Sequence, residues 1–218
     1  MIKTYSKARD GNTKLSADFR VREFACKDGS DKILIDDTLV TYLERIRHWA
    51  GVPIVISSGY RTPSHNASIG GASSSQHTKG KAADVYAKDR AKSIYQIAKY
   101  AEAIGVHGIE CNEDKNYVHL DTRSGIWRCY YRGGKYHDTS TFGGRCPYSE
   151  PSGSLRRGNT GDGVKWLQFW LRLWGYAVAV DGSYGAKTDT AVRELQKKRG
   201  LTVDGIAGEK TRKALKGF

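Results

Sequence analysis

The chain has 218 residues, of which 39% are hydrophobic and 27% are charged. This length suits one domain of about 150 residues with a small second one, and the composition excludes a disordered chain. The net charge of +13 at pH 7 suits a polyanionic partner, either nucleic acid or the anionic polymers of a bacterial wall, or else it serves solubility alone.

No stretch of the sequence resembles a membrane span or a secretory signal. There is no run of about 18 apolar residues, and residues 1–12 are polar, which predicts synthesis in the cytoplasm and another route to any site outside it. The cysteines form no CxxC pair, so we expect free buried thiols rather than a zinc site made of cysteines. The alternative is a disulfide between two of them. The cysteines are Cys26, Cys111, Cys129 and Cys146.

Helical and strand patterns alternate irregularly in the first two thirds of the chain. Apolar spacing predicts a helix over residues 36–50, capped by Asp36 or Asp37, and a second helix over residues 90–104. The segments VPIVISS, HGIEC and NYVHLDTR are typical of short strands, and β-prone aromatic sequence continues to about Phe142. Because no βαβ regularity is present, the predicted fold class is α+β.

A Gly, Ser and Pro-rich segment divides the chain. It predicts a first domain over residues 1–146, a linker over residues 147–154 and a second domain over residues 155–218. In the second domain the segment DGSYGAKTDTAV, which begins at Asp181, recurs as DGIAGEKTRKAL from Asp204. Each copy predicts a turn that leads into a helix, and a further helix precedes them, so we expect a compact three-helix domain.

The second domain is also the more basic one, with 13 Lys and Arg against 6 Asp and Glu. Trp166, Trp170 and Trp174 recur every four residues on its first helix, so they lie on one helix face. We expect most of these rings to lie in the core, although an exposed ring could stack on sugars or peptide.

The segment SSQHTKGKAADV contains the pattern SxHxxGxAxD, which places a histidine and an aspartate close together. His77 supplies a neutral nitrogen and Asp84 an anionic oxygen, both suited to Zn²⁺, and Gly80 lets the backbone turn between them. His119 in NYVHLDTR is the candidate third ligand. Two histidines and one carboxylate leave a fourth position open for water, as a catalytic zinc requires. A lone histidine is more often a surface or hydrogen-bonded residue, and we expect the other four to be structural.

Residues 15–145 resemble the zinc murein peptidases that include D-alanyl-D-alanine carboxypeptidases and the L-alanyl-D-glutamate endopeptidases of phage lysins. The resemblance rests on FRVREFACKDG, SSGYRTPSHNASIGGASSSQHTKGKAADV, GIEC and YVHLDTR. It implies a small antiparallel sheet with flanking helices, in which His77, Asp84 and His119 hold zinc. It also implies that Arg61 and Ser75 contact the carboxylate and the carbonyl of the substrate; an ordinary turn arginine paired with a nearby aspartate is the alternative for Arg61.

The residue that would accept a proton from water departs from this family. Several members have a Glu or Asp three residues before the last His ligand, where this chain has Asn116, and others use the residue five before it, which is Asp114. Glu110 and Glu113 are close by. We predict Asp114 as the catalytic base and expect at least two of these three acidic residues to be solvated turn residues.

The segment from residue 155 to residue 215 resembles the three-helix peptidoglycan-binding domain of wall hydrolases. Together the resemblances imply a monomeric zinc peptidase that cleaves an amide bond in peptidoglycan stem peptides and acts at the cell wall, with anionic wall polymers as a further partner and no nucleic acid. The polar N-terminus favours a phage or prophage endolysin. The alternatives are a host carboxypeptidase or autolysin, and a non-catalytic wall-binding protein with a structural zinc.

Overall fold

The computed structural model describes residues 1–217 and shows two compact units along the chain. The first is Met1–Gly144, and the second begins at Arg145. Within the described residues, no helix is long and apolar enough to cross a membrane. The thiols are free; those of Cys26, Cys111 and Cys129 are buried as the sequence predicts, whereas Cys146 is half-buried.

The first unit combines a small sheet, a large sheet and short helices. Its strands are β1 (Ile2–Ser6), β2 (Lys32–Asp36), β3 (Ile54–Ser58), β4 (Ala82–Ala87), β5 (Gly108–Asn112), β6 (Tyr117–Asp121), β7 (Trp127–Arg132) and β8 (Lys135–Asp138). Its helices are α1 (Lys7–Asp10), α2 (Asp37–Ala50), α3 (Pro63–Ser68) and α4 (Ile94–Ala103). This content confirms the predicted α+β class.

The large sheet has the strand order β3–β4–β6–β5–β7–β8, while β1 and β2 pair with each other. Neighbouring strands of the large sheet are antiparallel, except that β5 and β7 are parallel. The antiparallel sheet implied by the resemblance is therefore present with one parallel pair. The parallel pair arises because the chain crosses from the end of β6 to begin β7 beside β5.

Local capping explains where the two predicted helices begin. The Asp36 side chain accepts a hydrogen bond from the first turn of α2, as predicted for a helix cap. Helix α4 begins four residues later than predicted, because Ser93 and Gln96 form a capping box at its start. Just before it, Asp89 and Arg90 have φ values of 53° and 55°, which a helix does not allow.

The two faces of the large sheet have different roles. Val118 and Leu120 of β6 are fully buried, as are their partners Cys111 and Ile109 of β5, and the Cys111 thiol contacts the start of α4. These residues form the core beneath α2 and α4. Because side chains alternate along a strand, His119 points to the opposite face.

The second unit contains the helices α5 (Asp162–Leu173), α6 (Ala186–Lys198) and α7 (Glu209–Leu215). Trp166, Trp170 and Trp174 are buried, and the Trp174 indole donates a hydrogen bond to the carbonyl oxygen of Leu215 at 2.8 Å. The expected core position of the tryptophan stripe is confirmed. These rings fill the space between the helices and are not a sugar-stacking surface.

The internal repeat appears as two copies of one hydrogen-bond network. The Gln168 amide donates to Asp181 at 2.7 Å and accepts from the Gly182 N–H at 2.9 Å. In the second copy Gln196 donates to Asp204 at 2.8 Å and accepts from the following glycine. Gly182 has a φ of 78°, a conformation that favours glycine. Each repeated Asp-Gly pair therefore forms a turn that a buried glutamine holds by hydrogen bonds, and a helix, α6 or α7, follows each turn.

Residues 147–154, which the sequence predicts as a linker, contact the helices of the second unit. The Arg212 guanidinium donates to the carbonyl oxygen of Gly153 at 2.8 Å and lies 3.4 Å from the Glu150 carboxylate. Hydrogen bonding and ion pairing with Arg212 thus hold at least part of this segment against α7. The division into domains over residues 1–146 and 155–218 stays a prediction.

Candidate metal centre and cleft

Backbone pairing aligns three polar side chains across the large sheet. His119 of β6 is paired directly with Asp84 of β4 on one side and with Glu110 of β5 on the other. Directly paired residues point to the same face of a sheet. The side chains of Asp84, His119 and Glu110 therefore form a row on the face of the sheet opposite the helices.

His77 reaches the same place from a short turn before β4. The turn, His77–Lys79, ends at Gly80, whose φ is 69°. A Cβ at Gly80 would lie 2.6 Å from the carbonyl carbon of Leu34, so this position needs glycine both for its φ and for its space. The tight turn returns the chain so that His77 faces Asp84, and it explains the spacing of SxHxxGxAxD.

Three potential ligand atoms meet on this face. His77 Nε2, Asp84 Oδ1 and His119 Nδ1 form a triangle with sides of 3.2, 3.1 and 2.9 Å. Zinc bonds of about 2.0–2.2 Å in tetrahedral geometry separate neighbouring ligand atoms by roughly 3.3 Å. The triangle therefore has nearly the size of one face of a tetrahedral metal site.

Hydrogen bonds on the far side of each imidazole determine which nitrogen is bare. His77 Nδ1 lies 2.7 Å from the carbonyl oxygen of Gly59, which can only accept, so Nδ1 carries the hydrogen. His119 Nε2 lies 3.1 Å from Asp121 Oδ2 and donates to it in the same way. In the neutral rings, the other two nitrogens and Asp84 Oδ1 then present lone pairs to one another. A cation between them relieves this repulsion, so the donor set fits a metal ion.

Asp121 fixes the orientation of the His119 ring. It is completely buried, and the Arg123 guanidinium also donates to it, with Nε 2.8 Å from Oδ1. A Cβ at Gly108 would overlap the Asp121 carboxylate, so the glycine makes room for it. The sequence places Asp121 on the same side as His119; the structure adds its role as the acceptor that orients the ring.

The electrostatics of the metal-free cluster follow from burial and from the facing charges. Burial opposes ionisation of Asp84, but the two histidines outweigh it and hold the pKa of Asp84 well below its usual range. Burial lowers the pKa of His77. Burial also opposes protonation of His119, but hydrogen bonds to Asp121 and Asp84 raise its pKa to about 9. Near neutral pH a proton therefore occupies His119 when no metal is bound.

A cleft of about 450 Å³ lies over the row. The Trp127 ring stands edge-on to the His119 ring at 6.1 Å, and the Arg123 guanidinium stacks on Trp127 at 4.3 Å. Glycines and serines of residues 70–75 form much of another wall. The cluster is thus open to a ligand on one side and supported by protein on the other.

Glu110 lies inside this cleft. It is only 6% exposed, and burial raises its pKa. Its Oε1 accepts a hydrogen bond from Asn112 Nδ2 at 3.1 Å, and the same amide donates to the Tyr117 hydroxyl at 3.2 Å. Sequence reasoning missed Asn112 and Tyr117. Tyr117 precedes His119 by two residues, and strand alternation is the signal that could have indicated it.

Asp114, the base predicted from the sequence, is not brought to the cleft. It is exposed in the turn between β5 and β6, and it accepts the N–H groups of Gly134 and Gly133 at 3.0 and 2.9 Å. These two hydrogen bonds hold the pKa of Asp114 below its usual value. Asp114 therefore stabilises the turn of the β7–β8 hairpin through these hydrogen bonds. Glu113 is likewise paired outside the cleft, with Arg132 at 2.8 Å.

Arg61 and Ser75 both line the cleft. Arg61 Nη2 donates to Asp84 Oδ2 at 2.6 Å, and its Nε donates to Ser58 at 2.9 Å. The pairing with a nearby aspartate, considered above as the alternative for Arg61, is thus present. Its Nη1 makes no hydrogen bond within residues 1–217 and so is available to a ligand. The Ser75 hydroxyl accepts from the His77 N–H at 3.3 Å.

Comparison with known protein families matches residues 15–121 to Peptidase M15 and residues 160–215 to a putative peptidoglycan binding domain. The chain thus contains one segment similar to Peptidase M15 and, after it, a second segment similar to a peptidoglycan-binding domain. The Peptidase M15 match ends at Asp121 and contains the three ligand candidates and Glu110. The peptidoglycan-binding match contains α5, α6, α7 and both copies of the repeat.

Individual relatives share a short segment with this chain. An N-acetylmuramoyl-L-alanine amidase of Bacillus licheniformis is 47% identical over 64 residues, which are 28% of this chain and 18% of the relative. A zinc D-Ala-D-Ala carboxypeptidase of Streptomyces albus G is 42% identical over 65 residues, which are 28% of this chain and 25% of the relative. The chain thus spans a quarter or less of the length of these curated relatives.

A solved structure of a peptidoglycan-binding protein from Clostridioides difficile, in complex with glutamine hydroxamate, shares 48% identity with this chain. The match covers 28% of this chain and 39% of that chain, with a TM-score of 0.28.

The geometry predicts one divalent metal ion per chain. His77→Ala or His119→Ala removes one corner of the triangle, and we expect metal content below about a tenth of an ion per chain, measured by plasma mass spectrometry after dialysis. His48→Ala is the matched control, because His48 lies near Asp18 and Glu44 but Arg47 already stands 3.3 Å from Asp18. A wild-type level of metal in both His77→Ala and His119→Ala would contradict this assignment.

The raised pKa of His119 predicts that metal binding releases a proton. At about pH 6 the metal-free protein holds a proton on His119, whose pKa is raised to about 9, and none on His77, whose pKa is lowered. We expect the release of about one proton per metal ion bound, and an affinity that increases as the pH rises towards 9. Calorimetry in buffers of different ionisation enthalpy measures this number. Release of no proton, or of two, would refute the assigned protonation.

Proposed function

We propose that this chain hydrolyses an amide bond in the stem peptides of peptidoglycan. The observation that carries the proposal is the meeting of three potential ligand atoms, from His77, Asp84 and His119, beside the buried carboxyl of Glu110. The Peptidase M15 match supports a peptidase, and the peptidoglycan-binding match supports this substrate.

Zinc is the metal that we propose for the triangle. Two imidazoles and one carboxylate are ligands that zinc accepts, and three protein ligands are typical of catalytic rather than structural zinc. The carboxypeptidase relative from Streptomyces albus G is a zinc enzyme by name. A zinc ion held there supplies a Lewis acid that polarises the scissile carbonyl and lowers the pKa of bound water.

Glu110, rather than Asp114, is the residue that we assign to proton transfer. In hydrolysis the water oxygen bonds to the scissile carbonyl carbon, and the carbon–nitrogen bond then breaks. Glu110 takes the proton that the water loses and delivers it to the leaving amine nitrogen. Its raised pKa suits a group that must both accept and return a proton. One oxygen is held by Asn112, and the other makes no hydrogen bond within residues 1–217.

Arg61 and Ser75 are assigned to substrate orientation. The free Nη1 of Arg61 can bind one oxygen of a substrate carboxylate beside the metal centre, while Nη2 remains on Asp84. Because its Nε and Nη2 already donate to Ser58 and Asp84, Arg61 binds the substrate through Nη1 and not as a bidentate fork. The Ser75 hydroxyl, which accepts from the His77 N–H, keeps its hydrogen for a substrate carbonyl.

The second unit is assigned to holding the protein on the wall. Its exposed basic side chains include Arg156 and Arg157, which precede α5, and Lys197 and Lys198, at the end of α6, and they suit anionic polymers. The endolysin role and the monomeric state stay predictions from the sequence.

Replacing Glu110 tests the catalytic assignment. Glu110→Gln keeps the size and the hydrogen bond to Asn112 but cannot take a proton, so we expect kcat to fall at least about 100-fold with unchanged metal content. Asp114→Asn is the matched control and should retain activity within about threefold, because Asp114 lies outside the cleft. The products of purified muropeptides, identified by mass spectrometry, give both the rate and the bond.

Each outcome of this experiment separates two hypotheses. An inactive Asp114→Asn with an active Glu110→Gln would restore the base predicted from the sequence. A wild-type protein that binds its metal and cleaves no muropeptide would refute the proposed hydrolysis and favour the wall-binding protein with a structural metal.

Shortening the chain tests the proposed role of the second unit. A protein ending at Gly144, where the first unit ends, should cleave soluble stem peptides at a rate within about threefold of the full chain, because every cleft residue is retained. It should lose most of its sedimentation with insoluble peptidoglycan. Equal sedimentation of the two proteins would show that the second unit is not the wall-binding part.

A further inference from the structure

We infer that Tyr117 is a catalytic residue whose hydroxyl donates a hydrogen bond to the carbonyl oxygen of the scissile amide as that oxygen gains negative charge. The inference rests on the proposed hydrolysis and adds a group to it. Tyr117 lines the same cleft as Glu110 and His119. It also lies two residues before His119 on β6, so both side chains point to the same face.

Asn112 fixes the direction of hydrogen bonding around Tyr117. The Lys115 backbone N–H lies 2.9 Å from Asn112 Oδ1 and can only donate, so this atom of the amide must be the oxygen. Nδ2 is then the donor that lies 3.1 Å from Glu110 Oε1 and 3.2 Å from the Tyr117 hydroxyl. Its two hydrogens serve the two partners, one each.

The hydrogen of the Tyr117 hydroxyl therefore has no acceptor within residues 1–217. The phenol oxygen uses a lone pair to accept from Asn112, so its own hydrogen points elsewhere. Within residues 1–217 no side chain or backbone oxygen accepts it. The side chain lines the cleft, which places an unused donor beside the metal centre. Such a donor is satisfied by water in the free protein and by a substrate oxygen in the complex.

This position gives the donor a role in rate as well as in binding. A neutral carbonyl oxygen is a modest acceptor, but the same oxygen becomes a strong one when water adds to the carbonyl carbon. A hydrogen bond that strengthens in this way lowers the barrier, and no proton leaves Tyr117. Because one amide, Asn112, holds both Tyr117 and Glu110, the donor and the base are kept at a fixed separation.

The inference predicts a specific kinetic result for Tyr117→Phe, which removes one hydroxyl and keeps the ring. In the full chain with its metal, we expect kcat for a soluble stem peptide to fall about 100-fold, as for loss of one oxyanion donor, with KM changed less than about threefold. The matched control is Tyr130→Phe. Tyr130 is paired with Cys111 and so lies on the other face of the sheet, and its loss should leave kcat unchanged.

Inhibitor binding provides a second readout that does not depend on turnover. A phosphinate peptide imitates the tetrahedral, negatively charged stage, whereas the reaction product imitates only the ground state. We expect Tyr117→Phe to weaken phosphinate binding by about the same factor as it lowers kcat/KM, and to weaken product binding less than about threefold. Metal content and melting temperature, measured on the same samples, should match those of the wild type.

The outcomes distinguish this inference from the proposed function on which it rests. If the wild type cleaves the peptide with metal and Tyr117→Phe does so at an equal rate, the inference is refuted and the hydrolysis stands. Equal losses in phosphinate and product binding would make Tyr117 a binding residue and would also refute it. If the wild type with metal cleaves no stem peptide, both fall together.

Discussion

The pairing register of β6 with its neighbours is the constraint on which the candidate site depends. It sets Asp84 and Glu110 directly beside His119, although 35 and 9 residues of chain separate them from it. Because side chains alternate, a slip of one residue would turn Val118 towards the cleft and bury His119 beneath the helices. The fully buried Val118 and Leu120 oppose such a slip. The apolar core on one face of the sheet therefore fixes the polar row on the other.

The three ligand candidates, His77, Asp84 and His119, can bind a metal because a further hydrogen-bonding group orients each of them. Gly59 and Asp121 fix the bare nitrogens of the two histidines, and Arg61 occupies the oxygen of Asp84 that faces away from the triangle. These partners are backbone or fully anchored side chains, so the ligand atoms keep their positions without a metal. Preorganisation of this kind lowers the cost of binding the ion, since little rearrangement is needed.

The sequence predicts most of the metal site and only part of the cleft. The pattern SxHxxGxAxD is local, and a single tight turn at Gly80 relates its two ligands, so composition and spacing carry enough information. The base depends on which residues of β5 oppose β6. Counting back from His119 along the sequence favours Asp114. The hairpin turn, with Asn116 at a φ of 54°, instead leaves Asp114 outside the cleft and places Glu110 opposite His119. Sequence distance is a poor guide across a hairpin, because pairing and not proximity along the chain decides which side chains meet.

A metal ion and a proton compete for the same lone pair of His119. Its pKa is raised to about 9 from an ordinary value of about 6.5, so the metal-free fold gains stability from this proton below about pH 6.5 and loses that gain as the pH rises through about 9. At lower pH the proton on His119 adds to Arg61 and Arg123 in balancing the buried carboxylates of Asp84 and Asp121. The proton and the metal ion are therefore alternative sources of positive charge for these carboxylates. Because a proton can occupy His119 in place of the ion, we expect the fold to persist when the metal is removed.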